Sequence, residues 1–148
     1  GRNGKYECGL GHGDDITEPQ LVSTLEGFPI KKVVCGYNHT AALSEEGYVF
    51  TWGMGGSMWN AGALGHGDKE HQPTPVVVDY FYDNGITIKD ISSGCNFMLA
   101  LSDKGDLYSW GRGEYGALIQ KMNSFPRNQI SLLCMEKLWK SFVVIPAV

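Results

Sequence analysis

Short apolar runs separated by glycine-bearing polar turns recur along the chain, and few of them keep a helical period. Residues 40–43 (TAAL) and 97–101 (FMLAL) are brief apolar stretches, each followed by turn chemistry: SEEG at 44–47 and SDKG at 102–105. Gly47 and Gly105 stand where such turns require a positive φ. Aromatic and β-branched residues then run to a tryptophan, YVFTW at 48–52 and DLYSW at 106–110, which is how strands read. Each pair of runs predicts a tight antiparallel hairpin. Val33, Val34 and Cys35 predict a strand before the first hairpin, residues 88–91 (IKDI) one before the second, and Val76, Val77 and Val78 a further strand.

The two hairpins are copies of one unit. Residues 36–53 (GYNHTAALSEEGYVFTWG) and 94–111 (GCNFMLALSDKGDLYSWG) agree at 8 of 18 positions at an offset of 58, including Gly36/Gly94, Gly47/Gly105 and Trp52/Trp110. A second block, LGHGD at 10–14, recurs at 64–68, and a proline follows each copy, Pro19 and Pro73. The offsets differ, so the copies carry insertions. One, MGGSMWNAG, precedes Leu64. The other, DYFYDNG at 79–85, ends in Asn84-Gly85, a dipeptide favoured in hairpin turns, and predicts an extended hairpin or binding tip carrying Tyr80, Phe81 and Tyr82. The expected division is 1–14 as the end of a preceding repeat, 15–68 and 69–122 as repeats, and 123–148 as a divergent partial repeat or extension. Ile130, Leu133, Cys134 and Lys137 share one helical face, which predicts a short helix over 129–140 and a strand at 142–145.

Units of this size made of short strands are what propeller blades look like. The order G-x-x-H-T, then A-L-S-x-x-G-x-V-F-x-W-G, then a glycine-rich stretch ending L-G-H-G-D, resembles the regulator of chromosome condensation repeat family over about residues 1–118. The resemblance implies an all-β fold of antiparallel blades, about seven of which close into a propeller in that family. This sequence departs from the pattern where His39-Thr40 becomes Phe97-Met98 and where the L-G-x-G signature decays after Leu118. Two repeats and partial flanks fall short of the roughly 4 to 8 blades of a ring. Gly1 aligns with Gly53, inside a motif, so the expectation is an arc of a longer protein, with open strand edges that favour self-association.

Composition narrows the function classes. The 20 glycines in 148 residues become turn punctuation at matched positions. A formal net charge of −4 with scattered basic residues speaks against a phosphate-tracking stripe and direct nucleic-acid contact. No stretch approaches the roughly 18 apolar residues of a membrane helix, so no membrane partner is expected, and the cytoplasm or nucleus is the expected compartment. Cys8, Cys35, Cys95 and Cys134 show no metal-type spacing and read as reduced thiols.

Candidate chemistry is sparse. Residues 111–116 (GRGEYG) match the GxGxxG string of dinucleotide binding, yet the repeat partner at 53–56 makes them a loop between blades. His12 and His66 in the LGHGD blocks lie a repeat apart, too far for shared metal coordination, and Asp14 and Asp68 are expected to accept local backbone amides. His39 reads as a packed, hydrogen-bonded histidine, because Phe97 takes its place in the second copy. Trp52 and Trp110 read as blade core. No catalytic set, cofactor or metal site is expected. Met58 and Trp59 in the first insertion, and Tyr80 and Tyr82 in the second, are the candidate partner-binding residues, since loop-borne aromatic and methionine side chains anchor protein interfaces. The leading expectation is a noncatalytic protein-interaction module. The alternative, implied by the resemblance for some members, is guanine nucleotide exchange on a Ran-like small GTPase; a small GTPase or a chromatin protein would then be the partner.

Overall fold

The computed structural model describes residues 1–56 and 62–112. They form two antiparallel sheets. The first is built from β1 (Ile30–Cys35), β2 (His39–Ser44), β3 (Val49–Gly53) and β4 (Gln72–Val77) in sequence order, and the second from β5 (Ile88–Ser93), β6 (Phe97–Ser102) and β7 (Leu107–Gly111). The all-β, antiparallel blade arrangement expected from the sequence is present. The fourth strand of the first sheet comes from the start of the following sequence repeat, so sheet and repeat are offset along the chain. Pro73 and Pro75 suit that outer position, since proline cannot donate to a ladder and is confined to sheet edges.

Repetition in the sequence becomes repetition in geometry. In β2–β3 Thr40 pairs with Trp52, and in β6–β7 Met98 pairs with Trp110. The turns match as well: Ser44 Oγ accepts from the Tyr48 amide at 3.2 Å and Ser102 Oγ from the Asp106 amide at 3.0 Å. Gly47 and Gly105 take φ values of +92° and +87°, as the turn sequences predict.

Packing distinguishes the copies. The main core lies between the sheets, where Ala41, Leu43 and Val49 of the first meet Ile88, Ile91, Met98 and Ala100 of the second. Ala42, Phe50 and Trp52 face the other way and pack against Leu25 and Ile30. Every residue of β2 and β3 is buried, because both faces of that hairpin are covered.

The second insertion corrects the sequence reading. DYFYDNG holds no hairpin: Asp79–Asp83 is a short helix, α1. The Ile86 amide donates to the Phe81 carbonyl at 2.9 Å and the Gly85 amide to the Tyr82 carbonyl at 3.1 Å, with Gly85 at φ +61°. This pair of bonds is the Schellman helix terminus, and Ile86 packs against the apolar cluster that holds Phe81, as such an ending favours. The residues after Asp83 thus end a helix; a glycine able to adopt positive φ serves either purpose. The expected helix at 129–140 and strand at 142–145 lie outside the described residues.

Candidate interaction surface

Hydrogen bonds and packing hold the two sheets together at positions the repeat makes equivalent. Lys32 Nζ donates to Asp90 Oδ1 at 2.7 Å, and the Tyr37 amide donates to the Cys95 carbonyl at 2.9 Å. His39 is almost fully buried, and its Nε2 lies 3.1 Å from Ser93 Oγ. The Ser93 hydroxyl donates to the Gly94 carbonyl at 3.0 Å, so the imidazole must be the donor toward Ser93 and carries its proton on Nε2. Burial pushes the His39 pKa from 6.5 down to about 4, keeping the ring neutral. This is the packed, hydrogen-bonded histidine expected from the sequence. A Cβ on Gly36 would stand 2.1 Å from the His39 ring, and one on Gly94 2.2 Å from the Phe97 ring. Both glycines are therefore required by an aromatic ring lying across the backbone.

The stretches leading into and opening the LGHGD blocks pack against the tryptophans of the sheets that follow them, Gly9 lying against Trp52 and Gly65 against Trp110. Trp52 Nε1 and Thr40 Oγ1 both donate to the Glu7 carbonyl at 2.8 Å, and Trp110 Nε1 donates to the Ala63 carbonyl at 3.0 Å. Trp52 is buried and Trp110 half-buried against the inter-sheet core, so both act as core. Thr51 Oγ1 donates to the Leu64 carbonyl at 2.7 Å and stands 3.0 Å from His66 Nε2. Burial outweighs the nearby carboxylates of Asp68 and Asp79 and lowers the His66 pKa. Asp68 accepts the Glu70 amide at 3.0 Å as anticipated. Asp14 does not follow suit: its carboxylate lies 3.4 Å from His12 Nδ1, and the neighbouring Asp15 accepts the Asn3 amide instead.

Asn3, which the sequence did not single out, organises the first of these segments. Its fully buried side-chain amide donates to the carbonyls of His12 and Asp14, at 2.7 and 3.0 Å, and accepts from the Cys8 amide at 2.9 Å. An isolated asparagine beside a glycine carries no local signal for such a role.

Of the four candidate partner-binding residues, Tyr80 and Tyr82 are described; Met58 and Trp59 lie outside the described residues, as does most of the GRGEYG string. Tyr80 is 57% and Tyr82 62% exposed, while Phe81 between them is 4% exposed. Phe81 pins α1 to the second sheet, with ring centroids 5.3 Å from Tyr108 and 5.7 Å from Trp110. Tyr82 lies 6.0 Å from Tyr48, which lies 6.3 Å from Phe28, and Tyr80 lies 6.3 Å from Tyr108. The helix thus joins its two exposed tyrosines to the half-buried Tyr48 and Tyr108, and through Tyr48 to the exposed Phe28, in one aromatic run. Burial first, then the Asp106 carboxylate and Tyr80, hold the Tyr108 phenol above its ordinary value.

Among the described residues, no group of three or more His, Cys, Asp and Glu side chains could hold a metal ion, Cys8, Cys35 and Cys95 are free thiols, and no helix is long and apolar enough to cross a membrane.

Residues 1–43 and 46–101 match the family described as Regulator of chromosome condensation (RCC1) repeat, and a second description of the same repeat matches 30–57 and 88–117. The chain is 40% identical over 119 residues to the ultraviolet-B receptor UVR8 of Arabidopsis thaliana, covering 78% of this chain and 26% of that protein. It is 37% identical over 125 residues to the human E3 ubiquitin-protein ligase HERC2, covering 76% of this chain and 2% of the ligase. Among solved structures, Prp20p of Saccharomyces cerevisiae, reported with its binding properties to Gsp1p and histones, superposes with a TM-score of 0.66 at 24% identity, over 80% of this chain and 29% of its own. The chain therefore spans less than a third of these proteins, and the likeness to Prp20p is one of fold.

Proposed function

Because the chain belongs to the regulator of chromosome condensation repeat family, we propose that it serves as a protein-interaction module within a larger propeller, without catalysis of its own. The observation that carries this reading is the α1 insertion: two exposed tyrosines on a helix that a buried phenylalanine fixes to the sheets. Exposed, preorganised aromatic side chains are favoured interface anchors because little side-chain entropy is lost when they bind. Met58 and Trp59 are proposed as a second contact on the strength of their sequence alone. The test is an affinity capture with the full-length protein, comparing the wild type with Tyr80→Ala/Tyr82→Ala and with Trp59→Ala. Loss of the captured set in the tyrosine variant is expected, and an undiminished set removes the proposed surface.

Guanine nucleotide exchange on a Ran-like small GTPase is the second reading. The recorded binding of Prp20p to Gsp1p and histones makes protein partners the class to try first, although propeller folds host many functions. Release of a fluorescent GDP analogue from a panel of small GTPases tests it, with no acceleration on any of them sinking the idea. A nuclear or cytoplasmic site of action is part of the proposal, as is self-association of a chain with too few blades to close a ring. Imaging of the tagged full-length protein checks the first; light scattering after size exclusion checks the second, which a monomer at high concentration would refute.

A further inference from the structure

The aromatic run is bordered by charge that is almost all negative. Four segments carry its rings: residues 26–29 with Phe28, the β2–β3 turn leading to the half-buried Tyr48, helix α1 with Tyr80 and Tyr82, and the β6–β7 turn leading to the half-buried Tyr108. Their ionisable side chains, the tyrosines aside, are Glu26, Glu45, Glu46, Asp79, Asp83, Asp103 and Asp106 on one side and Lys104 alone on the other. All of these carboxylates are exposed, and none forms a salt bridge with a described residue. Backbone bonds keep the segments together: the Ile88 amide donates to the Gly47 carbonyl at 3.1 Å, and the Asp103 amide to the Thr87 carbonyl at 3.0 Å. The result is a platform of ring faces and edges on segments whose carboxylates have no salt-bridge partner among the described residues.

We infer that this platform binds a basic, arginine-bearing extended segment of a protein partner. The inference rests on the interaction reading above and names the chemistry of its partner. A guanidinium can stack on a tyrosine face while its N–H groups reach a flanking carboxylate, and its aliphatic stem covers the ring. An acidic or phosphorylated segment would meet mostly like charge, and a purely apolar one would leave the carboxylates without partners. Each exposed ring contributes a few-fold in affinity, so removing both tyrosines should cost about tenfold.

The test uses the full-length protein and a labelled twelve-residue peptide with four arginines in a glycine-serine background, read by fluorescence anisotropy. Control peptides carry glutamine or glutamate at the arginine positions. The arginine peptide should bind at least tenfold more tightly than either control, and its affinity should fall several-fold as salt rises from 50 to 300 mM. Tyr80→Ala/Tyr82→Ala should weaken it about tenfold and Asp79→Asn/Asp83→Asn several-fold, whereas Tyr80→Phe/Tyr82→Phe, which keeps the rings, should bind like the wild type. Circular dichroism checks that each variant folds; should the alanine pair unfold, the asparagine and phenylalanine pairs decide. Equal binding of the arginine and glutamine peptides overturns the inference, as does arginine binding that survives loss of the tyrosines in a folded protein. Self-association abolished by the tyrosine change overturns it too, by making a second copy the occupant. If the tyrosine variant loses its captured proteins while the arginine peptide neither binds nor competes, the interaction reading stands and the basic partner falls.

Discussion

Replacing His39 with phenylalanine should make the folded state less stable at neutral pH and more stable in mild acid. The imidazole is buried, donates to Ser93 at 3.1 Å, and has its pKa pushed from 6.5 to about 4. Above pH 6.5 the ring is neutral whether the chain is folded or not, so it contributes no pH dependence. Between 6.5 and 4 the unfolded chain takes up a proton that the folded one refuses, and stability drains away as pH falls through that window. Below 4 both states are protonated and the loss is complete. A displacement of that size corresponds to about 3 kcal/mol, most of it already lost at pH 4.5. The second repeat shows that phenylalanine fits, since Phe97 lies across Gly94 as His39 lies across Gly36. The cost of His39→Phe is the hydrogen bond to Ser93, about 1 kcal/mol net, softened because the serine hydroxyl keeps the Gly94 carbonyl as acceptor. Urea unfolding followed by tryptophan fluorescence, at fixed ionic strength from pH 7.5 to 4.5, should give two stability curves that cross. Other titrating groups cancel in the difference between the two proteins. A difference that stays constant with pH would refute the assignment of the acid sensitivity to this ring.

Other substitutions separate steric from local effects. Gly47→Ala should destabilise by more than about 2 kcal/mol, because the glycine sits at φ +92° and a Cβ would meet Thr87 Cγ2 at 2.5 Å, whereas Gly105→Ala, at φ +87° with open space around it, should cost only the backbone strain of about 1 kcal/mol; thermal melts of the two variants check this. Asn3→Ala strands two carbonyls and an amide that the buried side chain satisfies and should cost about 2 to 4 kcal/mol in chemical denaturation. Phe81→Ala should cost about 3 to 5 kcal/mol by opening a cavity beneath α1, while Tyr80→Ala stays within about 1 kcal/mol; equal losses for both would mean that α1 is not anchored as its packing indicates.

What could be read from the sequence was what each residue does with its near neighbours. The S-x-x-G turns, the aromatic strands and the tryptophan at each strand's end are local signals, and they gave the hairpins and the blade fold. Asn84-Gly85 was local too, yet ambiguous, because a hairpin turn and a helix terminus both need a residue at positive φ; only burial of Phe81 beneath the insertion decides between them. The aromatic run was beyond reach, since Phe28, Tyr48, Tyr82 and Tyr108 come from four separate segments and only the fold brings them together. Contacts between repeats were legible in a subtler form. Lys32 and Asp90, at equivalent positions, face one another across the sheets, and identical residues there would bring like charges together at 2.7 Å. His39 likewise reaches across to the second copy through Ser93, while Phe97 replaces it one repeat later. Agreement between the copies marks what each blade needs to fold, such as Gly47 and Gly105 or Trp52 and Trp110. Disagreement marks several of the places where one blade meets the next, because an interface between neighbours in an array calls for complementary partners, and two copies of one charge are not complementary.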